Sequence, residues 1–268
     1  MEKKVVLITG ASSGIGNAAA IYLLEKGHNV YGASRTAATG TFSFKTLQMD
    51  VNNDDSVNDA ISRIMNMEGK IDVLINCAGF GLAGSIEDTS VDEAKGLFET
   101  NFFGVFRVCK AVIPGMRNQK SGLIINIGSL AGLISIPFQA FYSSSKYAIE
   151  SLTEALRIEL LPFGIRVVLI EPGDFKTGFT VNRKKAAQSE INNTYRENFS
   201  KAISIMEQDE SNGPSPVIIA ELIGRIMDNP SPRLRYAICK LSQILPVKFR
   251  YFLPHKLSEY LLMKYYGL

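Results

Sequence analysis

Val5-Val6-Leu7-Ile8-Thr9-Gly10-Ala11-Ser12-Ser13-Gly14-Ile15-Gly16 is the stretch whose reading decides the fold. Its first four residues form an apolar, mostly β-branched run, the pattern of a strand buried on both faces. Beyond the glycines, Ala18, Ala19, Ile21, Tyr22, Leu23 and Leu24 supply the packing side of a helix that Gly27 is placed to end. Glycines at a strand-to-helix turn let the backbone approach a pyrophosphate, and the free N–H groups and positive dipole end of the helix stabilise its charge. The spacing is Gly-x-x-x-Gly-x-Gly, which departs from the commoner Gly-x-Gly-x-x-Gly fingerprint. With a buried strand before it and a small-residue helix after it, the segment Gly10, Ser12, Ser13, Gly14, Ile15, Gly16 reads as a phosphate cradle for a dinucleotide.

The same alternation continues along the chain. Apolar runs near 4–9, 29–34, 43–49, 71–76, 122–128, 165–170 and 234–238 are separated mostly by helical patterns. This predicts an α/β fold: a Rossmann-type, doubly wound parallel sheet of about seven strands with helices on both faces. At 268 residues and 46% hydrophobic content, with no low-complexity linker, the chain has enough apolar surface for one substantial core and one domain. Residues 1–238 are assigned to that domain, 177–215 to a substrate loop or lid within it, and 239–268 to a basic, amphipathic tail. Cys77, Cys109 and Cys239 lie in apolar segments without metal-ligand spacing, so they read as reduced thiols and no metal site is expected. Met1 to Lys4 is too short for a secretory signal, and no apolar run approaches the ~20 residues needed to cross a bilayer. A soluble, cytoplasmic protein is the expectation.

A second constellation carries the chemistry. Tyr142 and Lys146 stand four residues apart in Tyr-Ser-Ser-Ser-Lys, with Ser129 upstream. On a helix beginning near Phe141 the two share a face, so an ammonium and a phenol look into one cleft. A phenol, with an ordinary pKa near ~10, becomes a useful acid or base at neutral pH when a cation stabilises its phenolate. The Ser129 hydroxyl can then hold a substrate oxygen beside Tyr142. Such pairs also occur on ordinary solvated helices, and only the phosphate cradle upstream makes them chemical.

Together these motifs resemble the short-chain dehydrogenase/reductase family, and the resemblance runs from about Lys3 to Ile238. Further segments fit its pattern: Asp50-Val51 after the third strand, Asn76-Cys77-Ala78-Gly79 after the fourth, Asn101 in the next helix, and Pro172-Gly173 with Thr177 after the sixth. Cys77 departs from the usual second Asn of its motif. The resemblance implies an NAD(P)-dependent oxidoreductase acting on CH–OH groups, with Asn101, Ser129, Tyr142 and Lys146 as catalytic residues. In that scheme Tyr142 exchanges a proton with the substrate oxygen, Lys146 lowers its pKa and bonds the nicotinamide ribose, Ser129 polarises the carbonyl, and Asn101 holds a relay water. Asp50, Val51, Asn76, Ala78, Gly79, Pro172, Gly173 and Thr177 are implied to line the cofactor, Thr177 at the carboxamide. The helices spanning roughly Val91 to Asn118 and Phe141 to Leu161 are implied to form the subunit contact of a homodimer or homotetramer.

Cofactor choice follows from charge. An NAD site usually places Asp or Glu about ~20 residues beyond the glycine loop to bind the ribose hydroxyls. Ser34-Arg35-Thr36 occupies that place, and no acidic residue lies between Glu25 and Asp50. Nothing local repels a 2′-phosphate and Arg35 can pair with it, so NADP(H) is favoured over NAD(H). An exposed arginine at a strand end is the plain alternative.

The remaining segments concern the substrate. Phe179 to Gly213 is polar with scattered Ile191, Phe199, Ile203 and Ile205, which suits a helical lid. Phe80, Leu82, Leu133, Ile136, Pro137 and Phe138 can line an apolar pocket or belong to the core. From Arg233 to Leu268 there are seven Lys/Arg and one acid, Glu259. Lys248, Arg250, Lys256 and Lys264 alternate there with Phe249, Tyr251, Phe252, Leu253, Leu257, Tyr260, Leu261 and Tyr265, and Pro246 and Pro254 divide the tail into short helical pieces. The tail either packs on the enzyme body or a partner subunit, or presents a surface for an anionic membrane or a lipophilic substrate; nucleic acid is not an expected partner. From Gly81 through Phe179 the chain is most similar to the 17β-hydroxysteroid and retinol dehydrogenase branch. That similarity implies a small-molecule apolar ketone or secondary alcohol of steroid, retinoid or acyl-chain type. A 3-oxoacyl-thioester reductase and a non-catalytic NADP(H)-binding regulator stay open as alternatives.

Overall fold

The computed structural model describes residues 2–35, 42–249 and 252–268. Met1, Thr36, Arg250 and Tyr251, named above, lie outside the described residues.

β1 (Val5–Thr9) runs into α1 (Gly14–Glu25) and then β2 (Asn29–Ser34) and β3 (Lys45–Gln48). α2 (Asp54–Glu68) leads to β4 (Val73–Asn76) and the two-residue β5 (Leu82–Ala83). Next come α3 (Val91–Phe98), a π-helical turn (Glu99–Phe103), α4 (Gly104–Gln119) and β6 (Gly122–Ile127). α5 (Ala140–Leu160) precedes β7 (Ile165–Pro172), α6 (Phe179–Asn182), β8 (Lys184–Lys185), α7 (Arg196–Ser211), α8 (Val217–Asp228) and β9 (Arg235–Ile238), and the chain closes with α9 (Leu241–Phe249) and α10 (His255–Tyr265).

The main sheet has seven strands in the order β3-β2-β1-β4-β6-β7-β9, all pairs parallel. Strand alternation divides one apolar run between two cores. Val5 and Leu7 of β1 join Leu74, Ile124, Val167 and Leu169 under α2, α4 and α5, whereas Val6 and Ile8 join Val73, Ile75, Ile125, Val168 and Ile170 under α1 and α8. Both faces are therefore covered at the centre of the sheet, where β1, β4 and β6 are buried throughout. At α1 this demands small side chains: a Cβ on Gly16 would stand 2.5 Å from the Gly10 carbonyl oxygen.

The seven expected strands are present. The two-stranded sheet β5–β8, parallel through Leu82↔Lys184 and Ala83↔Lys185, was not anticipated, because two residues carry no periodic pattern. The expected helix from Val91 to Asn118 is interrupted by the π turn. In the tail, Pro254 caps α10 as expected, whereas Pro246 sits inside α9 rather than dividing it. A third, smaller core joins α7 to the C-terminal segment: Phe199, Ala202, Ile203 and Met206 of α7 pack with Tyr266, Ala83, Ile136, Phe138 and Leu262. The tail thus packs on the enzyme body. Among the described residues, no helix is long and apolar enough to cross a membrane.

Candidate active site

The sheet order reverses between β1 and β4, and a crevice opens beyond the carboxyl ends of these strands, the position where parallel α/β sheets bind ligands. Thr9 builds its rim: its Oγ1 accepts from the N–H groups of Cys77 and Ala78, both at 3.0 Å, and ties the turn after β4 to the loop after β1. A cavity of about 510 Å³ occupies the crevice.

At one end of the cavity lie Gly10, Ser12, Ser13, Gly14, Ile15 and Gly16, with Ser34, Arg35, Val51, Ala78 and Gly79. Pro172, Gly173 and Thr177 reach it from the end of β7, and Thr177 Cβ lies 3.4 Å from where a Gly14 Cβ would stand. Gly10 has φ +68°, and a Cβ there would come 2.9 Å from the Ala78 backbone, so the loop is shaped by glycine alone. No acidic side chain occupies the first turn of α1 and Ser13 makes no side-chain cap, leaving the helix N-terminus open to an anion. These residues fit a dinucleotide. Asp50 and Asn76, expected here, lie behind the wall. Asp50 Oδ1 accepts from Asn52 N at 3.0 Å and shapes the turn presenting Val51, while Asn76 Nδ2 donates to Asn126 Oδ1 at 2.9 Å and Cys109 Sγ at 3.2 Å.

Ser129, Tyr142 and Lys146 meet in the same cavity. The Tyr142 phenol is hydrogen-bonded to the Ser129 hydroxyl, which also accepts from Ala131 N at 3.1 Å. Lys146 Nζ donates to Ile127 O at 2.9 Å and stands 5.8 Å from the centre of the Tyr142 ring. The lysine does not depress the phenol pKa as expected. Burial pushes Tyr142 up to about 12, eased by the Ser129 bond and raised further by Glu210, and burial brings Lys146 down to about 8. With its ammonium turned to a backbone carbonyl, the lysine gives the phenol little Coulomb support.

Asn101 lies in the π turn, where the widened helix directs the side chain inward. Its Oδ1 accepts from Phe80 N at 3.0 Å, and its Nδ2 donates to Phe80 O at 3.0 Å and Ser145 Oγ at 3.3 Å. The side chain clamps the Phe80 backbone to α5 and does not line the cavity, so its expected hold on a relay water falls on no free side-chain donor.

The other end of the cavity combines apolar walls with carboxylates. Phe80, Ile136, Phe179 and Met206 line it, with Tyr265 and Tyr266 from the tail. The Phe179 ring centre lies 5.4 Å from that of Tyr142. Leu82 and Phe138, the other pocket candidates with assigned packing, belong to the core clusters beneath. Asp174, Asp209 and Glu210 line the same region. Glu210 is ion-paired to Arg183 and accepts from Thr180 Oγ1 at 2.6 Å; Asp174 accepts from Gln243 of α9; Asp209 accepts from the Tyr265 hydroxyl. Burial, with Glu210 and Asp209 nearby, pushes Asp174 up to about 6. None of these carboxylates was singled out in the sequence. Asp174, directly after Pro172-Gly173, had a motif beside it as a signal; Asp209 and Glu210 had none.

The profile of the family described as short chain dehydrogenase matches residues 4–188. The chain belongs to the short-chain dehydrogenase/reductase family. It is an oxidoreductase of the kind that interconverts CH–OH and carbonyl groups. Among its relatives, 3-ketodihydrosphingosine reductase of Bacteroides thetaiotaomicron is 41% identical over 268 residues, covering 100% of both chains. Human 17-beta-hydroxysteroid dehydrogenase type 1 is 32% identical over 256 residues, covering 88% of this chain and 77% of the relative. The branch resemblance is thereby supported. Among solved structures, a short-chain dehydrogenase from Streptomyces avermitilis superposes with a TM-score of 0.81 at 28% identity, covering 98% of this chain and 97% of that one. Two further solved structures hold different cofactors. One from Burkholderia phymatum is complexed with NAD (TM-score 0.80, 27% identity, covering 94% of each chain), and ElxO has NADP bound (TM-score 0.71, 27% identity, covering 89% and 97%).

Proposed function

We propose that this member of the family is an NADPH-dependent reductase of a long-chain ketone bearing an amine beside the reacting carbonyl, as in 3-ketodihydrosphingosine. The observation carrying this reading is the composition of the substrate end of the cavity. Apolar walls from Phe80, Ile136, Phe179 and Met206 suit an alkyl chain, and Asp174, Asp209 and Glu210 suit an ammonium near Tyr142. A neutral steroid or retinoid would bring no cation to Asp174 and Asp209, which, unlike Glu210 with Arg183, have no ion-pair partner among the described residues. The full-length likeness to a 3-ketodihydrosphingosine reductase supports the same substrate.

When bound, the nicotinamide cofactor supplies the hydride. Tyr142, held protonated by burial, donates its proton to the ketone oxygen, and the Ser129 hydroxyl fixes that oxygen. A phenol that keeps its proton at neutral pH favours reduction over oxidation. Lys146, on the same face of α5 one turn on, would hold the nicotinamide ribose of the bound cofactor. Arg35, exposed at the end of β2, is the partner for a 2′-phosphate, which supports NADP(H). Phe103 at the end of the π turn and Phe106 on α4, with Ile158 on α5, expose apolar surface on the two helical segments expected to join subunits, and we assign a homodimer contact to that face.

The test is NADPH and NADH oxidation against 3-ketodihydrosphingosine, its N-acetyl derivative, a steroid ketone, retinaldehyde and acetoacetyl thioester. The expected result is turnover of the free amine with NADPH, at least about tenfold better in kcat/KM than the uncharged N-acetyl compound. Equal use of amine and amide, or preference for the steroid, would sink the reading.

A further inference from the structure

One titratable cluster lies outside the machinery described above. Glu150 follows Lys146 by one helical turn on α5, and Glu171 stands at the end of β7, directly before Pro172 and Gly173. Their side chains are 8% and 2% exposed. Arg235 of β9 is the cation they share: its Nε donates to Glu150 Oε2 at 3.1 Å, and Nη2 lies 3.0 Å from the same oxygen. Glu171 Oε1 is 3.3 Å from Arg235 Nε, whose N–H is directed to Glu150, and Arg235 Nη2 also serves Glu154. Neither Glu150 Oε1 nor Glu171 Oε1 receives a hydrogen bond from any donor among the described residues. The two carboxyls lie within hydrogen-bonding reach of each other. Two carboxylates are acceptors only, so such an approach is satisfied when one of them carries a proton.

Few charges surround the pair. The charged or titratable groups facing the pair are Lys146 and Glu154 from α5, Arg235 from β9 and Cys239 just beyond it. Lys146 is committed to Ile127 O, and Arg235 divides its charge among three carboxyls. The loop carrying Ser129 passes the pair at its glycines: a Cβ on Gly132 would stand 3.1 Å from Glu150 Oε1, and one on Gly128 would stand 3.4 Å from it. The pair therefore lies where three site-bearing segments converge: α5 with Tyr142 and Lys146, the loop with Ser129, and the end of β7 with Pro172-Gly173.

We propose that Glu150 and Glu171 share one proton and act as a single positioning pair that locks these three segments in register for the reaction. Burial and the like charge of Glu171 hold Glu150 above the ordinary carboxyl range, and burial does the same for Glu171. The proton belongs to the pair. With it, the pair and Arg235 are electrically neutral together; without it, two carboxylates repel beneath the catalytic loop.

The proposal rests on the proposed function only for its activity arm. Infrared difference spectroscopy on the cofactor-free protein at pH 7 reads the shared proton directly, as the C=O stretch of a buried protonated carboxylic acid. Glu150→Gln and Glu171→Gln should each remove it, because either change relieves the like charge and lets the remaining carboxyl ionise against Arg235. A band that survives both changes, or that disappears in only one of them, overturns the sharing. For positioning, either Gln variant should keep kcat within about twofold, since the amide preserves the hydrogen bond. Glu150→Ala should lower kcat about tenfold or more with KM little changed, as misplaced reacting groups do. An alanine variant whose thermal midpoint falls while kcat holds would assign the pair to stability alone and overturn the positioning role. If no ketone in the panel is turned over by the wild type, the substrate reading fails while the infrared result still decides the pair.

Discussion

Removing Arg183 should cost the protein far more than removing Arg183 and the charge of Glu210 together. The Arg183 side chain is 2% exposed and that of Glu210 10%, so their ion pair is buried. Glu210 is further fixed by Thr180 Oγ1 at 2.6 Å, and the guanidinium lies 5.6 Å from the Phe179 ring centre. Arg183 Nε and Nη1 have no hydrogen-bond partner among the described residues, so the desolvation of the guanidinium is incompletely offset. Burial holds the Glu210 carboxyl above its usual range even with the arginine beside it. Arg183→Met therefore strands a buried carboxylate, a change of about 3–5 kcal/mol in buried pairs, whereas replacing both charges is close to neutral or slightly stabilising. The assay is urea denaturation of wild type, Arg183→Met, Glu210→Gln and the double variant at pH 7.5. The expected single loss for Arg183→Met is about 3–5 kcal/mol, or roughly 10 °C in Tm, with the double variant within about 1 kcal/mol of wild type. The Arg183→Met loss should shrink as the pH falls, because burial holds the Glu210 carboxyl above its usual range and its protonation removes the stranded charge. Additive single losses, or an Arg183→Met cost under about 1 kcal/mol, would refute the buried-pair account of how the end of α6 is held to α7.

Four further outcomes test other parts of the site. Tyr142→Phe should lower kcat by about 10²-fold or more while NADPH binding, read by fluorescence, stays within about twofold; retained turnover would remove the phenol from proton transfer. Arg35→Ala should weaken NADPH by about tenfold or more and leave NADH unchanged, and equal losses would sink the 2′-phosphate assignment. Because burial brings Lys146 down to about 8 from its ordinary 10.5, the unfolded chain holds that proton over a range where the folded one does not. Its contribution to stability therefore rises from about pH 8 to about 10.5, and the Tm of wild type minus that of Lys146→Met should rise over this window; a flat difference argues that Lys146 stays charged. Phe106→Lys should halve the mass seen by analytical ultracentrifugation with the monomer still folded, and an unchanged mass would move the subunit contact elsewhere.

The strand-glycine-helix opening settled the architecture from the sequence alone, because its information is local. Val5 to Ile8 must be buried on both faces, Gly10 must take a positive φ, and Gly16 must pass against the Gly10 carbonyl, and each demand shows in residue type. Spacing likewise announced Tyr142 and Lys146, since i and i+4 share a helical face whatever lies around them. The electrostatics were another matter. That burial raises the Tyr142 phenol and lowers Lys146, and that Lys146 turns to Ile127 O, depends on surroundings built by segments far away in the chain. Asn101 looked like a relay residue by its motif, and packing committed its side chain to the backbone of Phe80, 21 residues earlier.

The sequence by itself determined the parallel sheet, the dinucleotide cradle and the meeting of Ser129, Tyr142 and Lys146, because periodicity, glycine and helical spacing act within a few residues. Only the tertiary structure decided what surrounds the substrate: Asp174, Asp209, Glu210, Arg183 and the tail tyrosines come from four separate segments with no common pattern. Their charges matter only because folding removes water from among them, and desolvation is a property of the assembled interior that no stretch of sequence carries alone.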